Sequence, residues 1–419
     1  MQLDLAAEAR ASAAPLQLHL MGWSAEPLSL ETAIRKVQRG RGAHAAGPDG
    51  LAPADIEDST SFCQALSHDM LSQSFTHGPG REVEVPKRSG GIRKIIVQNA
   101  RSRVADSSVN LYFRSAIDGE LPDCSYGFRP GRGAAQALTA LGRLMQAGSS
   151  STVLVKMDLA GCFTSVKWSA LRSALVRRFN EPELLGFIED LCGGLYIPQG
   201  SPLSPALADF YLAPLLWQVQ SIGTGVVYGD DFVVACGSMG EARTVVSSLE
   251  AAAAKLWVGF ADPKTSVTSM AEGVEFLGYH LSLVDGHARA VARRNARGEL
   301  VAALERTAGY HRRGDARTMI KALNQVLRGW AEYFHFDWEA LNYARRVGEY
   351  VALAWLEQRM PRRVVRAYYG GLGHVQADGV ALLNPTPFYQ DFPADQQREN
   401  GPEGPASNTP GYSPHGYSG

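Results

Sequence analysis

The sequence predicts an α+β protein in which an antiparallel sheet packs on helices and a helical domain follows it. Three observations support this. Apolar β-rich runs at 82–97, 151–157 and 225–235 alternate with stretches of helical periodicity; the segment Arg293–Met360 is helical with only short breaks; and 419 residues suit two or three domains at roughly 100–200 residues each. The expected division is a helical extension at 1–75, a sheet-bearing core at 76–285, a helical domain at 286–385 and a disordered tail at 386–419.

Taken in order, residues 1–80 read as mostly helical, with Thr32–Gln38 at helical spacing and Gly47-Pro-Asp-Gly50 as a turn. Glu82-Val-Glu-Val-Pro86, a turn at Ser89-Gly90-Gly91 and Ile92–Val97 form a β-hairpin pattern. Ala134–Met145 is helical, Ser151–Met157 is a buried strand and Trp168–Arg178 is the helix after it. Ser204–Val219 is a helix, Gly225–Ala235 two short strands around a turn, and Met239–Lys255 an Ala-rich helix. Ser269–Leu283 gives a further strand pair. From Arg293 the helical signal breaks at Gly309 and Gly314. Asp391–Gly419 is rich in Pro, Gly, Ser, Asn and Gln, too poor in apolar surface to offset the cost of ordering.

Composition narrows the function classes. Hydrophobic residues at 45% and charged residues at 20% are ordinary for a chain that buries a core. No apolar run approaches the roughly 20 residues that span a bilayer, and no basic n-region precedes an apolar stretch, so a cytoplasmic protein without membrane association is expected. Cys63, Cys124, Cys162, Cys192 and Cys236 include no C-x-x-C pair, which fits a reducing compartment and argues against a zinc knuckle. The net charge is −1, yet Arg289–Arg366 holds 16 Lys and Arg against 8 Asp and Glu. That basic third is an electrostatic footprint for nucleic acid.

The chemistry lies in three acids. Val226-Val-Tyr-Gly-Asp230-Asp231-Phe-Val-Val-Ala235 places two of them at a tight turn between β-rich runs, and Asp158 ends the run Ser151–Met157. An acid at the end of a buried strand is costly unless paired or metal-bound. Brought together on neighbouring strands, these acids would hold two Mg²⁺ ions about 3.5–4 Å apart for in-line phosphoryl transfer, with Mn²⁺ as a substitute.

The chain resembles reverse transcriptases of the group II intron type. The resemblance runs in order over roughly Ala33–Leu356 through Gly47-Pro-Asp-Gly50, Gly91-Ile-Arg93-Lys, Ser125-Tyr-Gly-Phe-Arg-Pro-Gly-Arg132, Asp158-x4-Phe163, Ile197-Pro-Gln-Gly-Ser-Pro-Leu-Ser-Pro205, Tyr228-Gly-Asp-Asp231, Asp262-Pro-Lys264-Thr, Phe276-Leu-Gly-Tyr279 and Leu323-Asn-x3-Leu-Arg-Gly-Trp-Ala-Glu-Tyr333. It implies a right-hand polymerase with fingers and palm in 76–285 and a maturase-like thumb in 286–385. Asp158, Asp230 and Asp231 match the acidic triad, with Leu159 beside Asp158 in the metal shell. Phe163 matches the aromatic gate that a 2′-hydroxyl would strike, which implies a preference for deoxynucleotides. Arg93, with Lys87 assisting, matches the triphosphate clamp. Gln199-Gly200, read as opening a helix, and Tyr228 line the nucleotide side. Lys264 matches a general acid for the leaving pyrophosphate. Tyr126, Phe128, Arg129 and Arg132 suit template contact, Phe276 and Gly278 match the hairpin that grips the primer, and Arg328 belongs to the basic thumb. The implied partners are an RNA template, a DNA or RNA primer and deoxynucleoside triphosphates.

The sequence departs from that family at three places. Gly229 stands where the dipeptide usually reads Tyr-Ala, Thr164 where an Asp often follows the gate, and no His/Cys cluster follows the thumb. A pI near 6.8 suits a large folded intron RNA poorly. The expected role is therefore a domesticated RNA-directed DNA polymerase in antiphage defence, working with a small non-coding RNA or a defence partner protein. The alternatives are an intron-encoded reverse transcriptase and maturase, a non-catalytic splicing factor, and template-independent or protein-primed synthesis.

Overall fold

The computed structural model describes residues 18–40, 42–86, 92–149, 152–361, 365, 369–370, 374–377 and 380–392. Lys87, the Ser89–Gly91 turn and most of the expected tail lie outside these residues. Helices Leu20–Ala25, Pro27–Arg39 and Ser59–Leu71 come first. The second starts on Pro27, whose missing N–H is harmless in a first turn, and buries Leu30, Ala33, Ile34 and Val37 along one stripe. Strands β1 (Arg81–Pro86) and β2 (Ile92–Val97) pair antiparallel, Arg81 opposite Val97 and Pro86 opposite Ile92, as the hairpin pattern predicts.

A 19-residue helix, Ala100–Asp118, follows and was not expected from the sequence. It buries Ser102, Asp106, Ser107, Ser108 and Arg114 beside its apolar residues, so no clean hydrophobic stripe marks it. Helix Ala134–Ala147 leads into β3 (Val153–Asp158), and helices Trp168–Arg178, Pro182–Cys192 and Ser204–Ile222 lead to β4 (Gly225–Tyr228) and β5 (Asp231–Cys236). Helix Met239–Lys255 precedes β6 (Ser266–Ser269). These strands form one antiparallel sheet in the order β4-β5-β3-β6.

Alternation along β3 and β5 feeds two cores. Val153, Val155, Met157, Phe232, Val234 and Cys236 pack with Leu207, Leu212 and Leu249 of the following helices. Leu154, Val233 and Ala235 pack on the other side with Leu138 and Leu141. Covered on both faces, the central strands read as continuous apolar runs.

The expected Ser269–Leu283 pair is part of a separate three-stranded sheet, β7 (Val274–Phe276), β8 (Tyr279–Val284) and β9 (His287–Ala292). Leu277 and Gly278, at φ 48° and 79°, form its first turn, with the two positive φ values that a two-residue primed turn requires. Helices Ala296–Tyr310, Ala316–Tyr333 and Trp338–Glu357 bury a third core around Leu300, Leu304, Ile320, Leu323, Leu327 and Trp355. Gly309 stays inside the first of these, and the breaks fall at 311–315, which contains Gly314, and at 334–337. Asp315 and Asp337 cap the helices after the breaks by accepting from Thr318 N and Ala340 N.

One buried polar cluster ties the parts together. Asp106, wholly buried, accepts from His77 Nε2 at 2.7 Å, Gln98 Nε2 at 2.9 Å and Ser201 Oγ at 2.6 Å. His77 Nδ1 reaches Asp190 Oδ2 at 2.9 Å. Burial opposes a charge on His77, but Asp106 and Asp190 outweigh it and push its pKa up to about 9. The folded state therefore holds this proton more tightly than the unfolded chain. The stabilisation is complete below about pH 6.5 and is lost as pH rises through about 9. Urea melts should show stability falling by on the order of 2–3 kcal/mol across that window, and His77→Gln should flatten the fall; an equal fall in the variant would show that another group is responsible.

Candidate active site

The register of the main sheet assembles the acids. Asp158, last in β3, lies opposite Asp231, first in β5, and Asp231 in turn pairs with Tyr228 across a two-residue turn, Gly229-Asp230. Gly229 adopts φ 64°, a left-handed conformation that a glycine takes without strain. Leu159 N donates to the Asp230 carbonyl at 2.9 Å, locking the turn to the end of β3. Asp158 and the adjacent pair Asp230-Asp231, far from it in the chain, thus meet at one end of the sheet.

Their electrostatics are those of an anionic site short of positive charge. Burial raises the Asp230 pKa and the charge of Asp158 adds to it, while Lys264 and Arg93 pull it back. Burial pushes Asp231 up to about 6 against the pull of Lys156. Lys156 Nζ lies 3.4 Å from Asp231 Oδ1, but this is an ion pair without hydrogen-bond alignment, and that buried oxygen has no hydrogen-bond partner. Lys264 Nζ, on the short turn Asp262–Lys264, donates to Asp158 Oδ1 at 2.6 Å. Among the described residues no three acidic, His or Cys side chains already close around a point as a metal cage. The donor set nevertheless fits a hard divalent cation: two mutually repelling carboxylates, a third with an unmatched oxygen, and an ammonium where a cation is called for.

The other expected site residues divide into those the fold brings near the acids and those it does not. Phe163 lies on the one-turn helix Cys162–Ser165 and shares a small cavity with Asp230. Arg93 is exposed on β2 and close enough to Asp230 to be felt there. Gln199 and Gly200 do not open a helix as expected, because the helix starts at Ser204. The Gln199 carbonyl instead accepts from Ile96 N at 2.7 Å, and Gly200, at φ 132°, lies so close to β2 that a Cβ would collide with the Ile96 carbonyl. They fasten this loop to the ribbon that carries Arg93.

Arg129 is not available as a template contact. It is 7% exposed and donates to the Asp118 carboxylate and to the carbonyls of Pro122, Ser125 and Asp118. Phe276 is likewise wholly buried in the core, so the hairpin can offer only its Leu277-Gly278 turn to a ligand. Arg132 remains partly open, ion-paired to Asp123 at 2.6 Å and stacked over the half-buried Tyr126. Arg328 is exposed on Ala316–Tyr333, on the same stripe as Arg317 and Lys321. The buried Asp106 cluster, which anchors both Gln98 and Ser201, escaped sequence reading because its partners are far apart in the chain.

Carboxylates at a sheet end, flanked by basic groups and an aromatic side chain, form an arrangement compatible with cation-assisted phosphoryl transfer. Residues 85–281 match the reverse transcriptase (RNA-dependent DNA polymerase) family. Similar proteins include a COX1/OXI3 intron 2 protein of Saccharomyces cerevisiae, 26% identical over 44% of this chain and 22% of its own length. A 91 kDa protein in a cob intron of Schizosaccharomyces pombe is 26% identical over 43% of this chain and 23% of its own. Protein YkfC of Escherichia coli is 25% identical over 45% of this chain and 53% of its own. The chain thus spans from about a fifth to about half of the length of these relatives. No described helix is long and apolar enough to cross a membrane.

The charge arrangement has a measurable consequence. Asp231→Asn removes a buried, poorly paired charge, so the metal-free variant should be more stable than the parent at neutral pH by about 1–2 kcal/mol. Chemical denaturation in chelator measures this, and a destabilised variant would mean that the Lys156–Asp231 pair stabilises the apo fold.

Proposed function

We propose that the protein is an RNA-templated DNA polymerase whose palm is the β4-β5-β3-β6 sheet, whose fingers include the β1–β2 ribbon and whose thumb is the three-helix unit from Ala296 to Glu357. The observation that carries this reading is the register that sets Asp158 opposite Asp231 beside the Tyr228–Asp231 turn. Asp158, Asp230 and the main-chain carbonyl of Leu159 would hold two Mg²⁺ ions, with Asp231 in support. When bound, the ions neutralise charge on the reacting phosphate and lower the pKa of the attacking primer hydroxyl.

The remaining roles belong to the chain's own groups. Arg93, on the ribbon, and Lys87 pair with triphosphate oxygens. Asp106, through Ser201 and Gln98, holds the Gln199-Gly200 loop against that ribbon, so the nucleotide-side backbone and the triphosphate clamp keep a fixed spacing. Phe163 and Tyr228 face the sugar, and Lys264 carries a proton beside Asp158 that it can deliver to pyrophosphate on leaving its partner. Template and primer contacts fall to Tyr126, Arg132 and Gly278. Arg317, Lys321 and Arg328, exposed on one helix stripe, supply phosphate contacts on the thumb.

Two biological settings follow from different observations. The near-neutral pI favours a small or transient RNA and hence a domesticated enzyme of antiphage defence in the cytoplasm, paired with a dedicated RNA or protein. The relatives named for introns favour service to a host intron as reverse transcriptase and maturase. Sequencing the nucleic acid that copurifies with the protein separates them: a short non-intronic RNA supports the first and intron sequence the second.

Purified protein given primed RNA, deoxynucleotides and Mg²⁺ should extend the primer. Asp230→Ala with Asp231→Ala should reduce extension by at least about 10³-fold, because no other described carboxylate replaces them. Extension that survives both changes would remove the assigned site.

A further inference from the structure

The Tyr228-Gly229 departure and the strained backbone at Phe128 belong to one local arrangement. Residues 124–127 run alongside β4, with Tyr126 N donating to the Val227 carbonyl at 2.9 Å and Val227 N donating to the Cys124 carbonyl at 2.8 Å. The approach is so close at Gly127 that a Cβ there would lie 2.5 Å from Gly229 N. The chain then turns through Phe128 at φ 57°, a left-handed conformation costly for an aromatic residue. It delivers a side chain that is 50% exposed rather than one that fills the core. The ring leans on Tyr228, centroids 6.1 Å apart, and stands over Gly229, where a Cβ would meet its Cε2 at 3.2 Å.

Phe128 and Phe163 line the same cavity, together with Gly229, Asp230 and the buried Asp209, which is paired to Arg114 at 2.7 Å. The cavity is about 30 Å³. That is about the share of liquid volume taken by one water, so it has room for a single hydroxyl, the 3′-hydroxyl that both kinds of nucleotide carry, and none for a second beside it. Strain held at a site of this size is a reason to assign function to the residue that bears it.

We propose that Phe128 is a specificity-determining residue for the nucleotide sugar: Phe128 and Phe163 both line one hydroxyl-sized cavity beside Asp230, and Gly229 leaves the room in which the Phe128 ring stands. This rests on the polymerase reading above and extends it to a second aromatic residue. Truncating either ring enlarges the cavity, which loosens the exclusion of a ribose without touching the acids.

The test is primer extension by the full chain with each deoxynucleotide and its ribonucleotide. Phe128→Ala should raise the ribo-to-deoxy ratio of kcat/KM by at least about 10-fold, mainly through the ribonucleotide KM, as Phe163→Ala should. Phe128→Leu should give a smaller rise and Phe128→Tyr should keep the parent ratio; if Phe128→Ala does not fold, Phe128→Leu carries the expectation at about 3-fold. Gly229→Ala should lower deoxynucleotide kcat/KM, and adding Phe128→Ala should recover part of that loss. If the parent extends primers while the ratio in folded Phe128→Ala and Phe128→Leu stays within about 2-fold of it, this inference alone is overturned. Absence of recovery in the double variant overturns the Phe128–Gly229 contact. A parent that extends no primer defeats the polymerase reading, and the sugar gate with it.

Discussion

Repulsion among three carboxylates, held together by strand register, is the constraint around which this fold is arranged. Asp158 and Asp231 cannot separate without slipping β3 against β5, and a one-residue slip would turn either Val155 and Met157 or Phe232 and Val234 out of their core. The hydrophobic burial on both faces of the sheet therefore maintains a charge cluster that is unfavourable on its own. The raised pKa values of Asp230 and Asp231 and the unmatched Oδ1 of Asp231 are the visible signs of that tension. Lys264 and Lys156 relieve part of it. What remains is a carboxylate cluster with less positive charge around it than negative charge within it.

The surrounding elements translate that geometry into a pocket. Asp106 fastens the end of β2 to the loop containing Ser201, and Gly200 permits the backbone of that loop to lie against Ile96. On the opposite side, the paired glycines Gly127 and Gly229 let two chain segments approach until Phe128 stands over the acidic turn. Both devices use backbone closeness rather than side-chain bulk. Substitutions at these glycines are thus expected to act on positioning before they act on stability.

Much of the architecture was legible in the sequence where one local rule dominates. Helices Trp168–Arg178 and Met239–Lys255 fall where periodicity puts them, and the hairpins at 81–97 and 225–236 follow from β-rich runs broken by turn residues. Helix Ala100–Asp118 did not show because its buried face contains Asp106, Arg114, Ser102 and Ser108, whose partners come from elsewhere in the chain. Strand β9 was hidden by its small inward residues, Ala288 and Ala290, which leave a weak alternation. In the site, the acids were conspicuous because they end or interrupt apolar strand runs. Arg129 and Phe276 misled for the converse reason: carbonyl acceptors and core packing leave no trace in residue type, so a basic and an aromatic residue both read as ligand contacts.

The central claim is that Asp158, Asp230 and Asp231 form a divalent-cation site. The most direct measurement is electron paramagnetic resonance of Mn²⁺ bound to the protein with primed RNA and a non-hydrolysable deoxynucleotide. Two bound, magnetically coupled ions in the parent, and none at the same concentration after Asp158→Asn with Asp230→Asn, is the expected result. Mn²⁺ binding that is unchanged by those substitutions would contradict the assignment.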